Sequence, residues 1–145
     1  MAVYVTFNQF RVGLSGKEIR KIVEKVFTQV LKNKHLNVSL VFSNDQAMKK
    51  LNSLYRGKSR TTDVLSFNLG TPLGQKKEWG EIYLSVPQAR RQAAEVGHSL
   101  KREVVELLIH ACLHLAGFDH KGRDEARAMF GLQEKILVKL NTHHK

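Results

Sequence analysis

The stretch His110-Ala111-Cys112-Leu113-His114-Leu115-Ala116-Gly117-Phe118-Asp119-His120 closes an apolar segment that begins at Leu100, and the fold turns on how the two are read together. Leu100, Val104, Leu107, Leu108, Ala111, Cys112 and Leu115 are apolar around much of a helical circumference, the pattern of a helix buried at the centre of a small domain. Ser99 is a natural N-cap and Gly117 a natural terminator, so the spacing predicts a helix from Leu100 to Leu115. His110 and His114 are four residues apart and therefore stack on one face of that helix. Gly117 can take the left-handed conformation that turns the chain back, which lets His120 supply a third imidazole.

Three neutral imidazoles at about 2.0–2.1 Å satisfy zinc and leave its fourth tetrahedral position open to water or substrate. An open position favours a catalytic ion, because structural zinc sites close with four protein ligands, often cysteines. The sole cysteine, Cys112, lies two residues from each helical histidine and so turns to the opposite side, where it reads as a small buried hydrophobe. A lone histidine would be read as an ordinary core or surface side chain, but three of the seven histidines fall in one eleven-residue window. His35, His98, His143 and His144 lack such spacing and read as ordinary polar positions. The run also matches the spacing H-E-x-x-H-x-x-G-x-x-H of zinc proteases, with Ala111 in place of the glutamate base. A methyl group cannot accept a proton, so peptide hydrolysis loses its base. Zinc still lowers the pKa of bound water to around 7, which suits a substrate that needs charge stabilisation, such as a phosphodiester.

Outward from this helix, the strands fall early in the chain and the helices late. Val3, Val5 and Phe7 share one face of an opening strand, and Ser15 with Glu18 forms a capping box before Ile19, Ile22, Val23, Val26, Phe27, Val30 and Leu31. Asn37 to Phe42 reads as a second strand. Asn44 or Asp45 can cap a short helix whose buried side would carry Met48, Leu51, Leu54 and Tyr55, followed by a basic loop from Arg56 to Arg60. Two more strands, Asp63 to Leu69 and Glu81 to Ser85, flank a connection with Gly70, Pro72, Gly74 and Lys76 to Glu78 that reads as a long hairpin tip. A helix from about Pro87 to Val96 stops at Gly97, and a last one runs from near Asp124 to Leu140 with Met129, Phe130, Ile136 and Leu137 inward. The fold class expected is a single small α+β domain, about four strands in a mixed sheet against roughly five helices, without regular alternation of parallel βα units.

Composition narrows the function classes. The 145 residues, 42% hydrophobic with two prolines, suit one globular domain without linkers or repeats. One cysteine, no leader pattern and no long apolar run point to a soluble protein of a reducing cytoplasm, with no membrane partner. Twenty-four Lys and Arg against thirteen Asp and Glu leave a net charge of +11, which favours polyanionic partners. Gly13-Leu14-Ser15-Gly16-Lys17-Glu18 is not a phosphate loop, because Arg11 and Glu18 stand where glycine and Ser/Thr are required. No stacked-aromatic RNA-binding signature is visible.

Tyr55-Arg56-Gly57-Lys58-Ser59-Arg60-Thr61-Thr62-Asp63-Val64-Leu65-Ser66-Phe67 feeds a basic loop into a strand. Taken alone, Arg56, Lys58 and Arg60 are a solvated charge cluster; beside a metal site, a guanidinium is suited to grip phosphate. Together with the histidine run, this segment resembles the YbeY family of bacterial ribosome-associated endoribonucleases, with its H-G-x-L-H-L-x-G-Y-D-H, Y-R-G and T-[DN]-V-L-S-F motifs. Ala111 and Phe118 replace a glycine and a tyrosine, and Gly80-Glu81-Ile82 stands where the family has Gly-Asp-Ile. The resemblance implies one zinc ion on His110, His114 and His120, catalytic roles for Arg56 and His114, and residues 1–145 as one metal-dependent endoribonuclease domain. It further implies cleavage of single-stranded RNA, small-subunit rRNA 3′-end maturation, ribosome quality control, and the ribosome or its small-subunit proteins as partners. The alternative is an RNA- or ribosome-binding maturation factor whose metal is chiefly structural and which has little nuclease activity.

Overall fold

Ser15 and Glu18 cap each other reciprocally, the Ser15 amide donating to Glu18 Oε1 at 3.0 Å and the Glu18 amide to Ser15 Oγ at 3.1 Å. That box opens α1 (Gly16–Val30), which follows β1 (Val3–Thr6) and buries Ile19, Ile22, Val23, Val26 and Phe27. The computed structural model describes residues 1–30, 36–58, 62–71, 73–74, 76–118 and 122–143. Leu31, His35, Arg60, Thr61, Pro72, Asp119, His120 and His144 carry expectations above but lie outside the described residues.

The chain continues through β2 (Leu36–Ser43), α2 (Asp45–Arg56), β3 (Val64–Gly70), β4 (Glu78–Ser85), α3 (Val86–Val96), α4 (Leu100–Leu115) and α5 (Arg123–His143). The sheet order is β1-β2-β4-β3, with β1–β2 and β2–β4 parallel and β3–β4 an antiparallel hairpin. Among the described residues this is the mixed four-stranded sheet with five helices that the sequence predicts, and β1-α1-β2 supplies a parallel crossover within it. Alternation sorts the sheet's faces: Val38, Leu40 and Phe42 of β2 and Ile82 and Leu84 of β4 are buried. The helix α4 packs against α1, α3 and α5 and against β3 and β4, so it occupies the middle of the fold. Its Leu108, Ile109 and Leu113 are fully buried, each worth about 1.5–3 kcal/mol, which fixes the position of α4 by core packing rather than by helix propensity.

Three inward assignments are corrected. Leu54 and Tyr55 are 69% and 68% exposed, because α2 buries only the narrow stripe of Met48 and Asn52. Phe130 is 66% exposed, because the inward stripe of α5 runs through Met129, Ile136, Leu137 and Leu140, and one residue along a helix turns the side chain by about 100°. Strand β4 starts at Glu78 rather than Glu81, since its first residues complete the ladder with β2.

Candidate functional site

Ser99 caps α4, its side chain accepting from the Arg102 amide at 3.1 Å. At the other end the Phe118 amide reaches the Leu113 carbonyl and the Gly117 amide the His114 carbonyl, both at 3.0 Å. These two bonds are a Schellman motif, and it requires the left-handed Gly117, whose φ is +99°. The chain therefore turns immediately beyond His114, as the sequence predicts.

Leu115 must also come close to the sheet. A Cβ placed on Gly80 would lie 2.9 Å from Leu115 Cδ1, so the glycine lets α4 approach β4. His110 and His114 are half-buried, with Nε2 atoms 3.0 Å apart and rings edge to face at 74°. The Nδ1 of His110 lies 3.3 Å from Gln133 Oε1 of α5, a contact that orients the ring with its Nε2 toward His114. Tetrahedral zinc with bonds of about 2.0–2.1 Å separates two ligand nitrogens by roughly 3.3 Å, so the spacing of this imidazole pair fits one such ion. The expected third ligand, His120, lies outside the described residues.

Both histidines face a cleft of about 460 Å³ that Arg56, Lys58, Asp63 and Ser66 also line. Arg56 is the last residue of α2, where Gly57 at φ +66° terminates the helix. Its guanidinium donates to the Ser66 carbonyl at 3.0 Å and stands 5.4 Å from the Phe67 ring centroid. The structure thus brings together Arg56, His110 and His114. Ala111 also lines the cleft, so this wall carries a methyl group where a zinc protease carries its glutamate.

Sequence reasoning missed two cleft residues, Asn52 and Asp63. Asn52 is buried on the stripe of α2 otherwise read as apolar. Asp63 accepts from the Val64 amide at 2.7 Å and from Gln92 Nε2 at 3.3 Å. Gln92 Nε2 is also 3.1 Å from Glu103 Oε2, and Glu103 Oε1 is 2.7 Å from His98 Nε2. A polar chain therefore runs from the cleft to the α3–α4 junction. His98, read from sequence as an ordinary polar position, is the hydrogen-bond partner of a buried carboxylate. The donor atoms of His98, Glu103 and Glu106 lie within 4.8 Å of one another, a geometry that could hold a metal ion. Glu106 meanwhile pairs with Arg102 at 3.5 Å.

Cys112 is fully buried, and burial pushes its thiol well above the ordinary range, as befits a core residue. Tyr83 donates to Glu81 Oε2 at 2.6 Å; burial, that hydrogen bond and the carboxylate's charge push its phenol up to about 12. No helix among the described residues is long and apolar enough to cross a membrane.

Fold and cleft together define a class: a single α+β domain whose central helix presents paired imidazoles to a cleft lined by basic side chains. A sequence model of the family described as Endoribonuclease YbeY matches residues 4–141, and the chain belongs to this family. Its relatives include Endoribonuclease YbeY of Aquifex aeolicus, 39% identical with 92% of this chain and 93% of that protein covered. The corresponding protein of Pelotomaculum thermopropionicum is 38% identical, with 97% and 98% covered. The solution structure of TM1509 from Thermotoga maritima superposes with a TM-score of 0.60 at 25% identity, covering 93% of this chain and 86% of that one.

Proposed function

We propose that this chain is a cytoplasmic, zinc-dependent endoribonuclease that cuts single-stranded RNA during 3′-end maturation of small-subunit ribosomal RNA and in ribosome quality control. Its partners in this reading are ribosomal RNA and small-subunit ribosomal proteins. The one domain carries the metal ligands His110, His114 and His120 and the catalytic side chains Arg56 and His114. The observation that carries the reading is the convergence of His110 and His114, Nε2 atoms 3.0 Å apart, in the cleft that Arg56 lines. Family membership supports the endoribonuclease activity.

A zinc ion on these imidazoles would supply Lewis acidity toward a phosphate oxygen. The chain's own groups bind and orient the RNA. Arg56 is already restrained by the Ser66 carbonyl and the Phe67 ring, so gripping a phosphate costs it less rotamer freedom. Negative charge grows on the phosphoryl oxygens during attack, which makes that contact stronger in the transition state than in the ground state. Lys58 adds positive charge to the same wall. Among the described residues lining the cleft, Asp63 alone carries a carboxylate, and the Val64 amide and Gln92 fix its orientation for proton transfer.

The test pairs metal analysis of the purified protein with RNA cleavage by wild type and His114→Ala. Stoichiometric zinc and cleavage in the wild type, both lost in a folded variant, are expected. Cleavage retained by a folded, metal-free variant would sink the reading. Product ends report the attack: a 2′,3′-cyclic phosphate marks the RNA's own 2′-hydroxyl, and a 5′-phosphate with a 3′-hydroxyl marks water.

A further inference from the structure

Unpaired bases are held by flat aromatic surfaces, because every base has a π-face to stack. The sequence contains no aromatic run, yet the fold assembles an aromatic surface. Strand register sets Tyr4, Ser39, Glu81 and Phe67 in one row across the sheet, and none of the four is buried. The neighbouring row on the opposite face contains the fully buried Leu40 and Ile82, so Phe67 and Glu81 belong to the outer face of the sheet. Tyr55, 68% exposed at the end of α2, brings its ring centroid to 5.2 Å from that of Phe67, and Phe67 lies edge-on to Tyr83 at 6.1 Å.

Arg56 joins this face to the cleft. Its guanidinium stands over the Phe67 ring and bonds the Ser66 carbonyl, while the same side chain lines the cleft with His110 and His114. The strand it grips, β3, is an edge of the sheet, so a polynucleotide can pass round it from one face to the other.

We propose that the exposed Tyr55 ring, backed by Phe67 and Tyr83, is a stacking platform for unpaired nucleobases, continuous with the cleft through Arg56. This rests on the RNA-cutting function proposed above. Bases next to the cut phosphate lie on the outer face, and the phosphate turns in at Arg56. The charges fit such an occupant: Arg56 and Lys58 stand at one end, and exposed Lys76 and Lys77 at the hairpin tip beyond β3. Glu81, held by the Tyr83 hydroxyl at 2.6 Å, faces the bases rather than the phosphates and can accept from their exocyclic amines. A duplex cannot use the platform, because its bases are already stacked on one another.

Binding of a fluorescein-labelled single-stranded octaribonucleotide, followed by anisotropy with every variant built on His114→Ala to keep the strand intact, tests the proposal. Tyr55→Ala should weaken binding about 5- to 10-fold, and Tyr55→Ala with Phe67→Leu further, within the roughly 5- to 150-fold that stacking of one base supplies. Tyr55→Phe keeps the ring and should stay within about twofold of its parent. An abasic strand of equal length should not distinguish Tyr55→Ala from its parent, and the salt dependence should keep its slope, because the removed ring contacts no phosphate. Unchanged affinity of the folded double variant overturns the platform and leaves the face to a protein partner. Equal losses for the base-bearing and abasic strands overturn it too. If wild type cuts no RNA while Tyr55→Ala still loses affinity, the nuclease function falls and the platform stands.

Discussion

Replacing Gly80 with alanine tests the packing that sets the histidine helix against the sheet. The added methyl would lie 2.9 Å from Leu115 Cδ1 and 3.1 Å from Cδ2, inside van der Waals contact. The backbone of Gly80 is not left-handed, so alanine itself meets no backbone strain there. Overpacking of this kind costs about 1–3 kcal/mol. The atoms in the way are the ends of one leucine side chain, which places the cost in the lower half of that range. Against it stands a gain of about 0.4–1 kcal/mol from the stiffer unfolded chain. The net expectation is a loss of about 1 kcal/mol, read as a lower urea midpoint by far-UV circular dichroism with an unchanged slope. Leu115→Ala removes the obstructing methyls. In that background Gly80→Ala should become stabilising by about 0.5 kcal/mol, because only the unfolded-state term and better filling of the space remain. The sign reversal is a coupling of about 1.5 kcal/mol between residues in contact. Equal losses in both backgrounds would refute the contact. Leu115 follows His114, so the single variant should also lose RNA cleavage while the double variant recovers part of it, a small displacement at a reacting centre costing up to about 100-fold.

Other outcomes follow from the same geometry. Arg56→Lys keeps the charge but loses the planar fork, and should lower kcat/KM for RNA by about 10²–10³ with no change in urea midpoint, since the residue is exposed. Cys112 should resist thiol reagents in the folded protein and react at the rate at which the core opens; fast labelling under native conditions would contradict its burial. Tyr83 holds its proton up to about 12 when folded but near 10 when unfolded, so the folded state binds more protons between these values and stability falls as pH rises through that window. Spectrophotometric titration should show one of the three tyrosines ionising last, and Tyr83→Phe should remove that step and flatten the loss.

Local sequence was a good guide where local bonds decide structure. The Ser15–Glu18 box, the Ser99 cap and the Gly117 turn each satisfy backbone groups within a few residues, so α1 and α4 were readable as written. Periodicity did less well at the ends of α2 and α5. It shows that Leu54, Tyr55 and Phe130 are apolar but not how far the sheet and α4 extend beneath them, and all three are exposed. Asn52 and Glu103 were missed for the converse reason: their polarity argues for the surface until their buried positions are seen.

The sequence by itself determined the site's core, because His110 and His114 lie one turn apart on a helix whose cap and terminator are local. Sheet order was not determined there, since β4 lies between β2 and β3 only after crossovers that no short window records. Only tertiary structure could bring Arg56 from the end of α2 into the cleft of α4, more than fifty residues away in the chain. It alone gathered Tyr55, Phe67 and Tyr83 from a helix and two strands onto one face. Local hydrogen bonds and periodicity act over a few residues, whereas the cleft and the aromatic face arise from which buried surfaces the collapsed chain pairs, a choice made by packing.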